Sequence, residues 1–291
     1  MNISSNNTTR KSGLFGTVLL LPSFLCLDAP LVAISWSTAD QYLQRGFLSA
    51  YEPHAALFLV VWGIYLFDRL HDTRPGLREQ RNSLRHRFAL RHRGLLLSLF
   101  VTAFTASALL VFTGKIVRFF WAWGTILAIP VLFYFVAFRF FSGRFKWLRP
   151  LPTKEITIGL CFAAGVCLAS GSFQVTRLVP LAILFLLNCL IIARAEAAED
   201  RISDPAAFYS SAPNEGTDER FNGWEITLAV CSAGAAWLLR NEIPFRLAVT
   251  ASAIWLMAIP LVRAARQSVQ SLADAALLTP WPVVAGWLFF R

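Results

Sequence analysis

Apolar residues run along this chain in long blocks broken by short polar segments. Nine such blocks stand out, near 14–36, 55–72, 94–112, 119–138, 155–171, 178–196, 224–239, 245–262 and 272–290. Most approach the roughly 20 residues a helix needs to cross a hydrocarbon core about 30 Å thick. A segment buried in lipid must satisfy its own backbone, which favours helices over open strands. The pattern therefore predicts an all-α, polytopic membrane protein. It is expected to be a single integral domain over residues 1–291, built as a bundle of nine transmembrane helices.

Composition agrees with that pattern. Hydrophobic residues make up 56% of the 291 positions and charged ones 15%, and the mean hydropathy is +0.54. A soluble domain cannot hide so much apolar surface. The net charge of +10 raises the question of nucleic acid, but the basic residues sit in short loops between blocks. They read as loops touching anionic lipid, so no nucleic-acid partner is expected.

Their distribution also sets an orientation. Arg10, Lys11, Arg69, Arg74, Arg78, Arg81, Arg85, Arg87, Arg91 and Arg93 fall on one side of a nine-crossing topology, with Arg139, Arg144, Lys146, Arg149 and Lys154. Arg194, Arg201, Arg220, Arg263 and Arg266 join them, against Arg45, Lys115, Arg118, Arg177, Arg240, Arg246 and Arg291 on the other. Positive residues mark the cytoplasmic side, so the N-terminus is expected inside, ahead of an uncleaved first helix. Longer cytoplasmic loops are expected at 73–93 and 205–223. The five cysteines lie in apolar segments without a CxxC pair and read as small buried side chains.

Two acidic motifs carry the candidate chemistry. The first is Tyr65-Leu66-Phe67-Asp68-Arg69-Leu70-His71-Asp72, and the second is Arg194-Ala195-Glu196-Ala197-Ala198-Glu199-Asp200-Arg201. Asp68 with Asp72, and Glu196 with Asp200, are spaced four apart, so each pair projects from one face of a helix. Both pairs end blocks that run from outside to inside. Ionised groups at membrane depth usually pair, line a cavity or hold a cation. Magnesium favours carboxylate and phosphate oxygens, and two facing pairs could clamp a diphosphate through Mg2+. Pairing of these acids with neighbouring arginines is the structural alternative. Asp204 lies one turn beyond Asp200, before Pro205, where a helix frays. Asn188, two turns before Glu196, is expected either to face the same cavity or to hydrogen-bond a neighbouring helix. Asp28, ahead of Pro30, reads as a kink with a polar cap, far from the inner surface.

In these motifs and in block count the chain resembles the UbiA superfamily of intramembrane prenyltransferases. That family has nine helices and two Asp-rich motifs, after the second helix and after the sixth. Asp68, Arg69 and Asp72 match the Asp-Arg-x-x-Asp end of its first motif, while Glu196, Asp200 and Arg201 resemble its second. The chain departs from the family at Ile64 and Tyr65, where the family has Asn and Asp, and at Glu196, where it has Asp. The resemblance implies a central cavity open to the cytoplasmic side. It further implies Mg2+ held by Asp68, Asp72, Glu196 and Asp200, with Arg69, Lys154 and Arg201 meeting the diphosphate. The implied partners are an isoprenyl diphosphate, a lipophilic or aromatic acceptor, and membrane lipids. Tyr65 in place of an acid either reshapes the pocket or reduces two metals to one. A catalytically degenerate scaffold or lipid-binding protein is the alternative expectation.

Overall fold

Runs of Leu, Val, Phe and Ala with Pro or Gly at their ends form helices that close their own hydrogen bonds. The computed structural model describes residues 22–48, 50–73, 84–113, 118–134, 152–171, 173–203, 209, 223–238, 242–261 and 266–290. All regular elements among these residues are helical. They are α1 (Asp28–Arg45), α2 (Glu52–Asp72), α3 (Leu84–Arg91), α4 (Arg93–Phe112), α5 (Arg118–Tyr134) and α6 (Thr153–Ser170). There follow α7 (Val175–Ser203), α8 (Gly223–Trp237), α9 (Ile243–Ala258) with a 3-10 turn (Ile259–Leu261), α10 (Arg266–Ala276) and α11 (Pro280–Phe289).

Among the described residues five stretches are long and apolar enough to cross a membrane: Glu52–His71, Arg93–Phe112, Thr153–Ser170, Val175–Ala197 and Val269–Phe289. The shorter apolar helices Ala122–Phe133 and Ile243–Ala258 accompany them. Leu97, Val101, Phe104 and Phe112 on α4, and Ile126, Ile129 and Leu132 on α5, lie exposed. Contiguous apolar surface of this kind needs a non-aqueous neighbour, and lipid supplies it. The protein is an all-α membrane protein.

Three local expectations change. Residues 22–24 are helical, the helix breaks where Cys26 takes a positive φ of 58°, and α1 then runs from Asp28 to Arg45, whereas the apolar block suggested a single span over 14–36. The later part of α1 holds Ser35, Ser37, Asp40 and Gln41, all buried, so hydropathy ended the helix too early. Residues 14–21 lie outside the described residues. The segment 73–93 is not plain loop, because α3 occupies part of it. The last block, 272–290, is two helices that meet at Leu277–Thr279.

Two helices organise the interior. α1 packs against α2, α6, α10 and α11, and α7 against α6, α8, α9 and α10. Trp36 of α1 is 1% exposed and meets Phe185 and Phe245 edge-on. Its Nε1 donates to the Leu277 carbonyl at 2.9 Å, satisfying a group that the α10–α11 break sets free. Thr279 Oγ1 donates to the Ala248 carbonyl at 3.1 Å beside Ser252. Where α6 crosses α7, a Cβ on Gly159 would stand 2.8 Å from the backbone nitrogen of Leu186. Only glycine permits that approach.

The end of the bundle formed by the start of α2 and the start of α7 is bound by charge. Arg177 of α7, fully buried, pairs with Asp40 of α1 and with Glu242 before α9. Its guanidinium lies 5.5 Å from the centre of the Phe245 ring. Gln44 donates to Asp40 at 2.8 Å, and His54 of α2 bonds Ser37 at 3.0 Å. Arg177, counted above on the outer side of the topology, is a buried tie between three parts of the chain.

Candidate functional site

At the opposite end the acid-bearing ends of α2 and α7 meet across α3. Both helices carry their motif in the last turns, and α3 folds back over them with Ala89 packed against Cys26, Leu66 and Leu96. Phe88 of α3 stacks on Phe24 with ring centres 5.0 Å apart. This docking turns Arg85 inward. Its Nη2 donates to Glu196 Oε1 at 2.8 Å, with Glu196 34% exposed and Arg85 9%. Arg87 and Arg91 of the same helix stay exposed.

Arg85 is surrounded by charge. Asp28, Arg69, Glu196 and Asp274 all lie near enough to act on it. Burial pushes its guanidinium down from its ordinary value, and the Glu196 carboxylate works against that push. The buried Nη1 of Arg85 has no hydrogen-bond partner among the described residues. A buried, unpartnered N–H on a cation is costly unless an anion or water meets it.

The sequence-predicted residues fall around this mouth to different degrees. Asp68 and Arg69 are partly buried on α2, and Arg69 hydrogen-bonds the Cys26 thiol. Lys154 opens α6 beside Cys189. Asp72, Asp200 and Arg201 end their helices as expected, but their side chains lie outside the described residues, and so does Asp204 altogether. Arg194 turns away from the acid pair and meets Glu225 of α8 at 2.7 Å, a carboxylate that Tyr209 also bonds at 3.3 Å. Asp28 requires a correction. It opens α1 within reach of Arg85 and Arg69, and so belongs to this end of the bundle and not to a remote kink.

Below the mouth lies a small, partly open pocket with room for about one water molecule. Ala29, Val32, Ile158, Phe162, Phe185 and Leu277 give it apolar walls, and Tyr65, Asn188, Cys189 and Asp274 give it polar points. Tyr65 therefore sits in the pocket wall where the family pattern would place an acid. Asn188 Nδ2 donates to Asp274 Oδ1 at 3.2 Å.

Asp274 is the site residue that motif reading missed, while Arg85 was legible only as one member of the basic run 85–93, which could cap a phosphate cavity or face lipid. Asp274 had a signal, because it is an acid inside an apolar block, and such residues usually face a protein interior or cavity. Arg85 had none that set it apart from Arg87 or Arg91.

Among the described residues no three His, Cys, Asp or Glu side chains gather closely enough to hold a metal ion. The donor types still suit magnesium. Hard carboxylate oxygens stand on two separate helices, and this ion takes much of its shell from phosphate and water. The orphaned Arg85 N–H supplies the complementary place for an anionic oxygen. Compared with known proteins, the chain matches no family model, no curated protein and no solved structure.

Proposed function

We propose that this chain is a UbiA-like intramembrane prenyltransferase, which binds an isoprenyl diphosphate at the α2–α3–α7 mouth. The observation that carries the reading is Arg85, a buried guanidinium with one paired and one unpaired nitrogen, held between the two acid-bearing helices. The full reading has nine crossings, a cytoplasmic N-terminus and a mouth opening to the cytoplasm, as the loop charges imply.

In this reading Arg85, with Arg69, Lys154 and Arg201, receives diphosphate oxygens, since guanidinium matches them in a planar fork. Asp68, Asp72, Glu196 and Asp200 would hold Mg2+, whose chemistry is to neutralise charge on the departing diphosphate. The carbon–oxygen bond of the allylic diphosphate breaks, and its electron pair leaves with the diphosphate. Apolar side chains below the mouth keep water from the resulting cation, and Phe162 and Phe185 offer it aromatic faces. An electron-rich carbon of the lipophilic acceptor forms the new bond and then releases its proton to a base.

One observation favours a second reading, a catalytically degenerate scaffold or lipid-binding protein. Glu196 already spends one carboxylate oxygen on Arg85, and Tyr65 replaces an acid, so the anion could be held without turnover.

Binding of geranylgeranyl diphosphate to the full chain in detergent, with magnesium and then with EDTA, tests the proposal. Saturable binding that needs magnesium and is lost in Asp68→Ala/Asp200→Ala supports it. Binding indifferent to metal and to both substitutions would overturn the enzyme reading. Magnesium-dependent binding without product from any aromatic acceptor would favour the scaffold.

A further inference from the structure

Asp274 lies in the last turn of α10 and is 7% exposed, as is Asn188 of α7. Asn188 Nδ2 donates to Asp274 Oδ1 at 3.2 Å, which leaves the second carboxylate oxygen for another partner. Asn188 Oδ1 is buried with no hydrogen-bond partner among the described residues. Both side chains line the small pocket beneath the mouth. No described arginine or lysine forms an ion pair with Asp274. Two acceptors thus meet in a largely apolar cavity. Buried polar atoms are nearly always satisfied, and a carboxylate at this depth calls for a cation.

The backbone and the nearby charges favour the same sign. α10 ends at Ala276, and the chain stays non-helical through Leu278 and Thr279 before α11 begins. A helix C-terminus carries partial negative charge, and broken helices at membrane depth present such ends to monovalent cations. Asp28 and Glu196 both act on Asp274, against Arg85 alone, and Arg85 is itself paired with Glu196. The surroundings of Asp274 are therefore more negative than positive.

Size selects among cations. Room for about one water molecule accepts one bare sodium ion but neither a fully hydrated ion nor an organic ammonium. Magnesium sheds water reluctantly and demands near-octahedral oxygens, so a pocket with a single carboxylate suits a single charge. Such a site differs from a cluster of three His, Cys, Asp or Glu side chains, because its other oxygens are neutral.

We propose that this pocket is a sodium site, in which one largely dehydrated ion rests on the second carboxylate oxygen of Asp274 and on Asn188 Oδ1. Bound there, the ion ties α7 to the end of α10 and steadies the break before α11. The inference is independent of prenyl transfer.

The test uses the full chain in detergent with EDTA, at fixed pH and ionic strength, as sodium chloride replaces N-methylglucamine chloride. The unfolding midpoint is expected to rise saturably, by about 2–4 °C at a tenfold excess of sodium over its dissociation constant. Asp274→Asn and Asn188→Leu, both nearly isosteric, should each abolish the rise, whereas Asp68→Ala/Asp200→Ala should keep it. Equal midpoints in the two salts for the wild-type chain would overturn the inference and leave a water only. A rise that persisted in both pocket variants, with wild-type helicity, would place the ion elsewhere and sink it as well. Radioactive sodium gives a reading that needs no variant. Wild-type protein should retain one ion per chain, displaced by unlabelled sodium and not by N-methylglucamine, and failure to retain it counts against the site.

Discussion

Arg85 and Glu196, 111 positions apart in the chain, meet at 2.8 Å. Their contact joins a short basic helix to the end of the longest helix among the described residues. It sets a buried cation against an acid of the second motif, and the proposed anion site rests on that contact.

That arrangement makes Arg85 more important than its neighbours. Arg85→Ala should weaken geranylgeranyl diphosphate binding by about ten- to a hundredfold, the worth of one or two charged hydrogen bonds. Arg85→Lys should recover only part of the loss, because an ammonium cannot hold Glu196 and a phosphate oxygen in one plane. Arg87→Ala, on the exposed side of the same helix, should leave the binding curve unchanged. Titration of the three variants with diphosphate at fixed magnesium checks this.

At the other end, Arg177 has two carboxylate partners and almost no contact with solvent. Asp40→Asn should destabilise the protein by about 3–5 kcal/mol, because it leaves a buried guanidinium short of countercharge. A combined Asp40→Leu/Arg177→Met variant should regain much of that loss, since both desolvated charges are then gone. Unfolding midpoints in detergent distinguish the two outcomes.

Gly159 sets the separation of α6 and α7. Gly159→Leu pushes a branched side chain against the Leu186 backbone and should cost about 1–3 kcal/mol or more through overpacking. Gly124→Ala is the control, because no described residue stands within 4 Å of a Cβ there, and it should leave the midpoint unchanged or slightly raised. Paired melts of the two variants test the contrast.

Trp36 supports the break between α10 and α11. Trp36→Phe keeps the ring packing but removes the donor to Leu277, leaving a buried carbonyl at a cost of about 1–3 kcal/mol. The loss should appear locally. Hydrogen exchange over residues 276–282 should accelerate, while amides in the middle of α7 keep their protection.

Sequence alone determined the class of this protein. Lipid offers no hydrogen bonds, so long apolar blocks have to become helices, and α2, α4, α6 and α7 lie where those blocks predicted. Asp68 and Glu196 lie on helices, as their spacing with later acids implied, while the side chains of Asp72 and Asp200 lie outside the described residues. Only tertiary structure decided which charges are buried together. Asp40 with Arg177, Arg85 with Glu196, and Asn188 with Asp274 are pairs between distant segments, and each polar group is tolerated at depth only because of a partner that local composition does not reveal. The α10–α11 break has the same origin. An apolar run looks continuous in hydropathy, and it is Trp36, across the bundle, that takes up the carbonyl the interruption leaves open.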